Sequence, residues 1–133
     1  IPTVNELISR GLYKKEAERK ALSPQVYFLF GNQGPIWYRG MVRKDAKYKP
    51  LASDTLDLIL QKYAVQRIIV GHTIFDAVST FYDGRVIGVN VDNDENREAR
   101  RSRGILITNN GIYAVGDEGV MQKLLNEERK NVR

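Results

Sequence analysis

Two turn signals decide most of what this chain can fold into. Asp83 and Gly84 stand between "VSTFY" and "RVIGVNV", and Asn109, Asn110 and Gly111 stand between "GILIT" and "IYAV". Asp-Gly and Asn-Gly supply the positive φ angles of tight β-turns, and the flanking runs hold the β-branched and aromatic residues that suit a pleated, half-buried surface. Two antiparallel hairpins are therefore expected in the second half. Just upstream, "RIIV" is a continuous apolar run of the kind carried by strands buried on both faces.

The first half has the helical period. "TVNELISRGLYKKEAERKAL" reads as helix interrupted near Gly11, with Thr3 and Glu6 at capping-box spacing. "SDTLDLILQKYA" sets Leu56, Ile59, Leu60 and Tyr63 on one helical face, with Ser53 or Asp54 as cap. Between them, "SPQVYFLFGNQGPIWYRGMV" gathers much of the aromatic content, and its glycines and Pro35 make it a short apolar segment followed by a shaped loop. "DNDENREARRSR" is expected to be a polar, mobile loop, and "GVMQKLLNEERK" a short amphipathic closing helix. The order is helix, loop, helix, buried strand, two hairpins, helix. That is an α/β or α+β arrangement, with no glycine fingerprint of a parallel dinucleotide-binding sheet.

A chain of 133 residues suffices for one compact domain, and 42% hydrophobic with 28% charged residues is ordinary for a packed globular protein. The net charge of +5 is concentrated in "LYKKEAERK", "ENREARRSR" and "EERKNVR", where acids and bases alternate as on solvated helix faces and no aromatics interleave for base stacking. No nucleic-acid partner is expected. No apolar run approaches the roughly 20 residues that span a bilayer, so no membrane partner is expected either. The absence of cysteine excludes disulfides and thiolate ligands from these residues and leaves the compartment open. The sequence begins at Ile1 and enters a helix almost at once, as a chain would if something upstream had been removed.

Two positions could carry chemistry. His72, the one histidine, follows a buried strand and lies between Gly71 and Thr73. A glycine that lets the backbone turn would aim the imidazole into the crevice where strands end, while a packing histidine bonded to a carbonyl is the plainer alternative. A catalytic zinc takes about three protein ligands, so carboxylates or another segment would have to complete a metal site. In "GPIWYRG", Gly34 and Pro35 fix the approach, Trp37 and Tyr38 give apolar bulk, and Arg39 offers a guanidinium fork suited to phosphate, although an arginine beside aromatics is also a common stacked surface residue.

"GPIWYRG", a helix, "RIIVGHT", "FYDGRVIGVNVD" and "RGILITNNGIYAV" together resemble the C-terminal half of a calcineurin-like metallophosphoesterase, in its bacterial protein-phosphatase-like branch, from Phe28 to the end. The resemblance implies half of a four-layer α/β/β/α sandwich, with a mixed sheet and two hairpins. It implies hydrolysis of a phosphomonoester, with a serine/threonine phosphoprotein as one substrate class, by a water activated between two divalent ions of Mn, Fe or Zn about 3.5–4 Å apart. His72 becomes a metal ligand that Thr73 helps orient, and Arg39 a catalytic holder of a phosphate oxygen. The family's Asp-x-His, Gly-Asp-x-x-Asp and Gly-Asn-His motifs are absent and would lie before Ile1. Residues 1–133 are thus expected to be the C-terminal portion of one catalytic domain, inactive alone, with the N-terminal half of the same protein and a phosphorylated substrate as partners. A dinucleoside polyphosphate hydrolase of the same fold and a non-catalytic basic binding module are the alternatives.

Overall fold

The computed structural model describes residues 3–92, 98 and 102–125. The chain divides into two compact units, Ile1–Leu51 and Ala52–Arg133. Among the described residues, no helix is long and apolar enough to cross a membrane.

The first unit is helical. α1 (Val4–Gly11) opens with the expected capping box: the Thr3 hydroxyl accepts from the Glu6 N–H at 3.3 Å, and the Glu6 carboxylate accepts the Thr3 N–H at 2.6 Å. Gly11 ends α1 where a Cβ would meet the Phe30 ring at 2.5 Å, so only glycine lets the chain approach so closely. α2 (Glu16–Leu22) and α3 (Pro24–Leu29) follow, with Ser23 capping α3 through the Val26 N–H at 3.1 Å and Pro24 at its first turn. Val26 and Leu29 bury the inner face of α3. A short 3-10 turn, Ala46–Tyr48, buries Tyr48.

Thr3 holds the Glu6 carboxyl below its usual range, first through its backbone N–H and then through its hydroxyl. A depressed folded-state pKa stabilises the cap fully above the unfolded value, which lies near 4.5, and that contribution is lost as pH falls through the folded value. Amide exchange in the first turn of α1 should therefore accelerate as pH is lowered past about 4.5, after correction for intrinsic rates. Protection that stays flat down to about pH 2, or a Glu6→Gln variant that keeps the same profile, would contradict the capping role.

The second unit is mixed α/β. α4 (Ser53–Lys62) buries Leu56 and Leu60 as expected, while Ile59 is half-buried and Tyr63 exposed. Its N-cap position is Ala52, with no side-chain bond. The two expected caps do other work: Asp54 accepts the Thr55 N–H at 2.7 Å, and the Ser53 hydroxyl accepts from Arg85 at 2.7 Å. The helix ends with Ala64 at φ +51, its N–H bonded to the Gln61 carbonyl and the Val65 N–H to that of Leu60, the pairing of a Schellman motif.

β1 (Ile68–Val70), β3 (Val86–Gly88) and β2 (Ser79–Phe81) form one sheet in the order β1-β3-β2, with β1 parallel and β2 antiparallel to β3. The β2–β3 hairpin forms around Asp83 and Gly84 as expected, with Tyr82, Asp83 and Gly84 all at positive φ and the Gly84 N–H bonded to the Phe81 carbonyl at 3.1 Å. Arg85 ties this turn to α4 through Asp57 and Ser53 and to the Tyr82 carbonyl at 2.9 Å. β4 (Ser102–Thr108), β5 (Gly111–Gly116) and β6 (Met121–Leu125) form a second, antiparallel sheet in the order β4-β5-β6, its first hairpin turning on Asn109 and Asn110. Val78, Ile87, Val91, Ile112 and Ala114 draw residues of both sheets into one core, with Leu124 and Leu125 packed on it.

Three sequence expectations are corrected here. "RIIV" is not buried on both faces: among the described residues β1 pairs only with β3, and Ile69 is 48% exposed. The segment read as a closing helix is strand through Leu125, because β5 offers an edge on which Leu124 and Leu125 reach the core. The two hairpins belong to separate small sheets rather than to one mixed sheet. Most of the loop read in "DNDENREARRSR" and the last eight residues lie outside the described residues.

Candidate functional site

His72 stands immediately beyond the C-terminal end of β1, as the sequence suggests, and is exposed. The turn is built differently from expectation. The Thr73 N–H donates to the Gly71 carbonyl at 2.8 Å, closing a three-residue turn whose central residue, His72, has φ +64. A γ-turn with a positive angle at its centre is the rare, strained form, and a non-glycine residue held there costs about 1–3 kcal/mol. Gly71 is outside the left-handed region, and a Cβ on it would meet only the Asn90 Oδ1, at 3.9 Å. The histidine therefore takes the unusual conformation while the neighbouring glycine does not. Gly71→Ala should consequently be tolerated, changing stability by less than about 1 kcal/mol in denaturant titration, and a loss beyond about 2 kcal/mol would return the turning role to Gly71.

What holds this turn was not visible in the sequence. Asn90, just past β3, accepts the His72 N–H on its side-chain Oδ1 at 3.1 Å and the Phe75 N–H on its main-chain carbonyl at 2.9 Å. The Val89 N–H reaches back to the Val70 carbonyl at 3.0 Å, and Phe75 bridges to Val91. The Phe75 ring lies over Gly88 so closely that a Cβ there would stand 2.4 Å away, and it meets the Phe81 ring at a centroid distance of 5.4 Å. Thr73, expected to orient His72 by its side chain, is 6% exposed and defines the turn through its own N–H.

Arg39 belongs to the first unit and His72 to the second, and each is set by its own surroundings. Arg39 is half-buried, its guanidinium carbon 5.7 Å from the Trp37 ring centroid and 6.0 Å from that of Tyr48, with Nη1 donating to the Tyr48 hydroxyl at 3.5 Å. Its carbonyl accepts the N–H groups of Val42 and Arg43 at 3.0 and 2.8 Å, fixing the backbone that carries it. A guanidinium has five N–H donors, so contact with two rings leaves a fork able to meet an anion.

A hollow of about 600 Å³ also opens in the first unit, walled by Glu16, Arg19, Tyr27, Phe30 and Lys47 among others. Three of its polar groups are tied down. The Tyr27 hydroxyl donates to Glu16 at 3.1 Å, which pushes the Tyr27 pKa up, and Arg19 bonds the Gly11 and Leu12 carbonyls while lying 4.0 Å over Phe30. That hollow is a braced joint between helical segments and not an assembly of reactive groups.

Among the described residues no group of three or more His, Cys, Asp or Glu could hold a metal ion. The pair of ions expected from the resemblance thus finds no ligand cluster around His72 among those residues.

No family model matches the sequence, and no curated protein matches it. Solved structures do. The chain is similar to the structure titled "New Structure Of Cold-Active Protein Tyrosine Phosphatase At 1.1 Angstrom", with 27% identity, a TM-score of 0.60, and coverage of 95% of this chain and 37% of that one. It is similar also to the cold-active protein-tyrosine phosphatase of a psychrophilic Shewanella species, at 25% identity and TM-score 0.61 over 92% of this chain and 35% of that one. A point mutant of a cold-active protein tyrosine phosphatase matches at 26% identity and TM-score 0.59, over 92% and 35%. The chain therefore spans little more than a third of the structures it matches. These titles correct the resemblance to a calcineurin-like metallophosphoesterase, and with it the dinuclear-metal reaction and the metal-binding character drawn from that resemblance: the proteins sharing this fold and a quarter of its residues are named as tyrosine phosphatases.

Proposed function

We propose that this chain is one portion of a phosphatase that hydrolyses phosphoric monoesters, with phosphotyrosine in proteins as its substrate class. The observation that carries the reading is the likeness over 92–95% of the chain, at 25–27% identity, to structures titled protein tyrosine phosphatase. His72 suits such a reaction, and Arg39, in the first unit, is separately a fork suited to a phosphate oxygen. Breaking the ester bond puts charge on the phosphoryl oxygens and on the departing phenolate. An exposed imidazole can hand the departing phenolate a proton. The strained turn at His72 is the kind of conformation that functional residues retain against its cost. The attacking group is no thiolate of this chain, whose sequence has no cysteine.

The expected alternatives separate in one assay series. The complete protein should release phosphate from aryl phosphomonoesters at least about 100-fold more efficiently than it cleaves a dinucleoside polyphosphate. Preference for the polyphosphate would favour cleavage of a phosphoanhydride. Hydrolysis of neither, with binding to an acidic polymer that weakens as salt rises, would favour a basic binding module. Metal analysis of wild type and His72→Asn in parallel decides the ring's role: equal metal content in both fits proton transfer, and loss of an ion with the substitution would contradict it.

A further inference from the structure

We infer that Asn90 is a positioning residue that locks His72 into its reactive turn, an inference that rests on the phosphatase reading for its catalytic consequence. Four observations converge on this residue and the turn it meets. His72 is held at φ +64, in a turn closed by the Thr73 N–H and the Gly71 carbonyl. That closure leaves the N–H of His72 itself pointing away from the three-residue ring, and Asn90 Oδ1 receives it at 3.1 Å. The same residue's carbonyl receives the Phe75 N–H at 2.9 Å, so Asn90 grips the loop at both ends, with its side chain at one end and its backbone at the other. Gly88, two residues earlier, admits the Phe75 ring against the strand, which brings the loop within reach.

The chemistry needed at this position is narrow. The acceptor must be short enough to leave β3 and meet a main-chain N–H beside the neighbouring strand, and it must be an oxygen. Asn and Asp satisfy both conditions. Alanine supplies no acceptor, and glutamine would place its oxygen one carbon farther out. Without the bond, the turn loses a contact that opposes its strain, and His72 relaxes toward ordinary negative φ. Relaxation swings the Cα–Cβ direction and moves the imidazole away from the ester without altering how the rest of the site binds substrate.

The test uses the complete protein and the variants Asn90→Ala, Asn90→Asp and Asn90→Leu. In Asn90→Ala and Asn90→Leu, exchange of the His72 amide should accelerate about tenfold, the equivalent of one hydrogen bond. kcat toward an aryl phosphate should fall at least about tenfold while KM stays within about twofold. Asn90→Asp, which keeps the oxygen, should restore both readouts to within about threefold of wild type. A double-mutant comparison removes the ambiguity of a general folding defect. In a His72→Gly background, Asn90→Ala should cost no further turnover, since glycine has no side chain to position. His72 amide exchange unchanged in Asn90→Ala would overturn the inference whatever the activity. An equal loss of turnover in the presence and absence of the His72 side chain would overturn it as well. Wild-type protein inactive on every phosphoric ester, yet with the tenfold exchange difference intact, would refute the phosphatase reading and leave the hold of Asn90 on His72 established.

Discussion

Replacing His72 by glycine is expected to leave the complete protein at least as stable as wild type, and about 1 kcal/mol more stable, while turnover falls at least about 100-fold. The two effects have separate physical origins. His72 occupies φ +64, where a Cβ is penalised and glycine is not, so removing the side chain relieves strain. The main-chain N–H that Asn90 Oδ1 accepts at 3.1 Å is unaffected by the substitution, so the turn keeps its anchor. His72 is exposed, and truncating it opens no core cavity. What disappears is the imidazole, and proton transfer by a positioned side chain is worth about 100- to 10,000-fold in rate. A histidine retained for packing predicts the opposite pattern: a lowered melting temperature with turnover per folded molecule intact. Denaturant titration and steady-state kinetics on the same preparation separate them. Asn90→Ala supplies the complementary case, in which the imidazole stays and its placement is lost.

Truncating Ile87 to alanine should destabilise the second unit by about 2–5 kcal/mol, whereas Ile69→Ala should cost less than about 1 kcal/mol. The two isoleucines are register partners on β3 and β1, and burial decides the difference. Ile87 is 0% exposed on the central strand, flanked by both neighbours and packed with Val78, Val91, Ile112 and Ala114. Its removal leaves a cavity that two sheets line together. Ile69 is 48% exposed on an edge strand. Urea unfolding monitored on the second unit would read both. Equal losses would mean that β1 is covered on its outer face, as the apolar run "RIIV" first suggests, and a small loss at Ile87 would deny the shared core.

Elements whose signal is local were legible in the sequence, and elements fixed by a distant partner were not. Thr3 and Glu6 declare their cap because both halves of it lie within one turn of helix, and Asp83-Gly84 declares its hairpin because the positive φ angles are a property of the turn itself. Met121–Leu125 sets Gln122 and Lys123 among Met121, Leu124 and Leu125, a pattern compatible with either period, and pairing with the edge of β5 makes it a strand. Ile69 is 48% exposed on an edge strand, which no pattern of three apolar residues can reveal. The same limit applies to the site. His72 was recognisable by residue type and by its place after a strand, but the sequence pointed to Gly71, the residue with the intrinsic freedom, as the turning position, when the strain falls on the histidine. Asn90 lies 18 residues away and enters only through pairing of β1 with β3. Arg39 was readable as a fork beside aromatics, and stacking on Trp37 and Tyr48 is what the structure adds. The short motifs that suggested a metal-dependent family are corrected by the likeness of 92–95% of the chain to structures titled protein tyrosine phosphatase.

The phosphatase reading is tested most directly by phosphate release from matched phosphotyrosyl and phosphoseryl peptides, using the complete protein at neutral pH. The expected result is release from the tyrosyl peptide with kcat/KM at least about tenfold above that for the seryl peptide, the discrimination a site shaped for an aryl ester provides. Release from neither peptide, or preference for the seryl one, would contradict it.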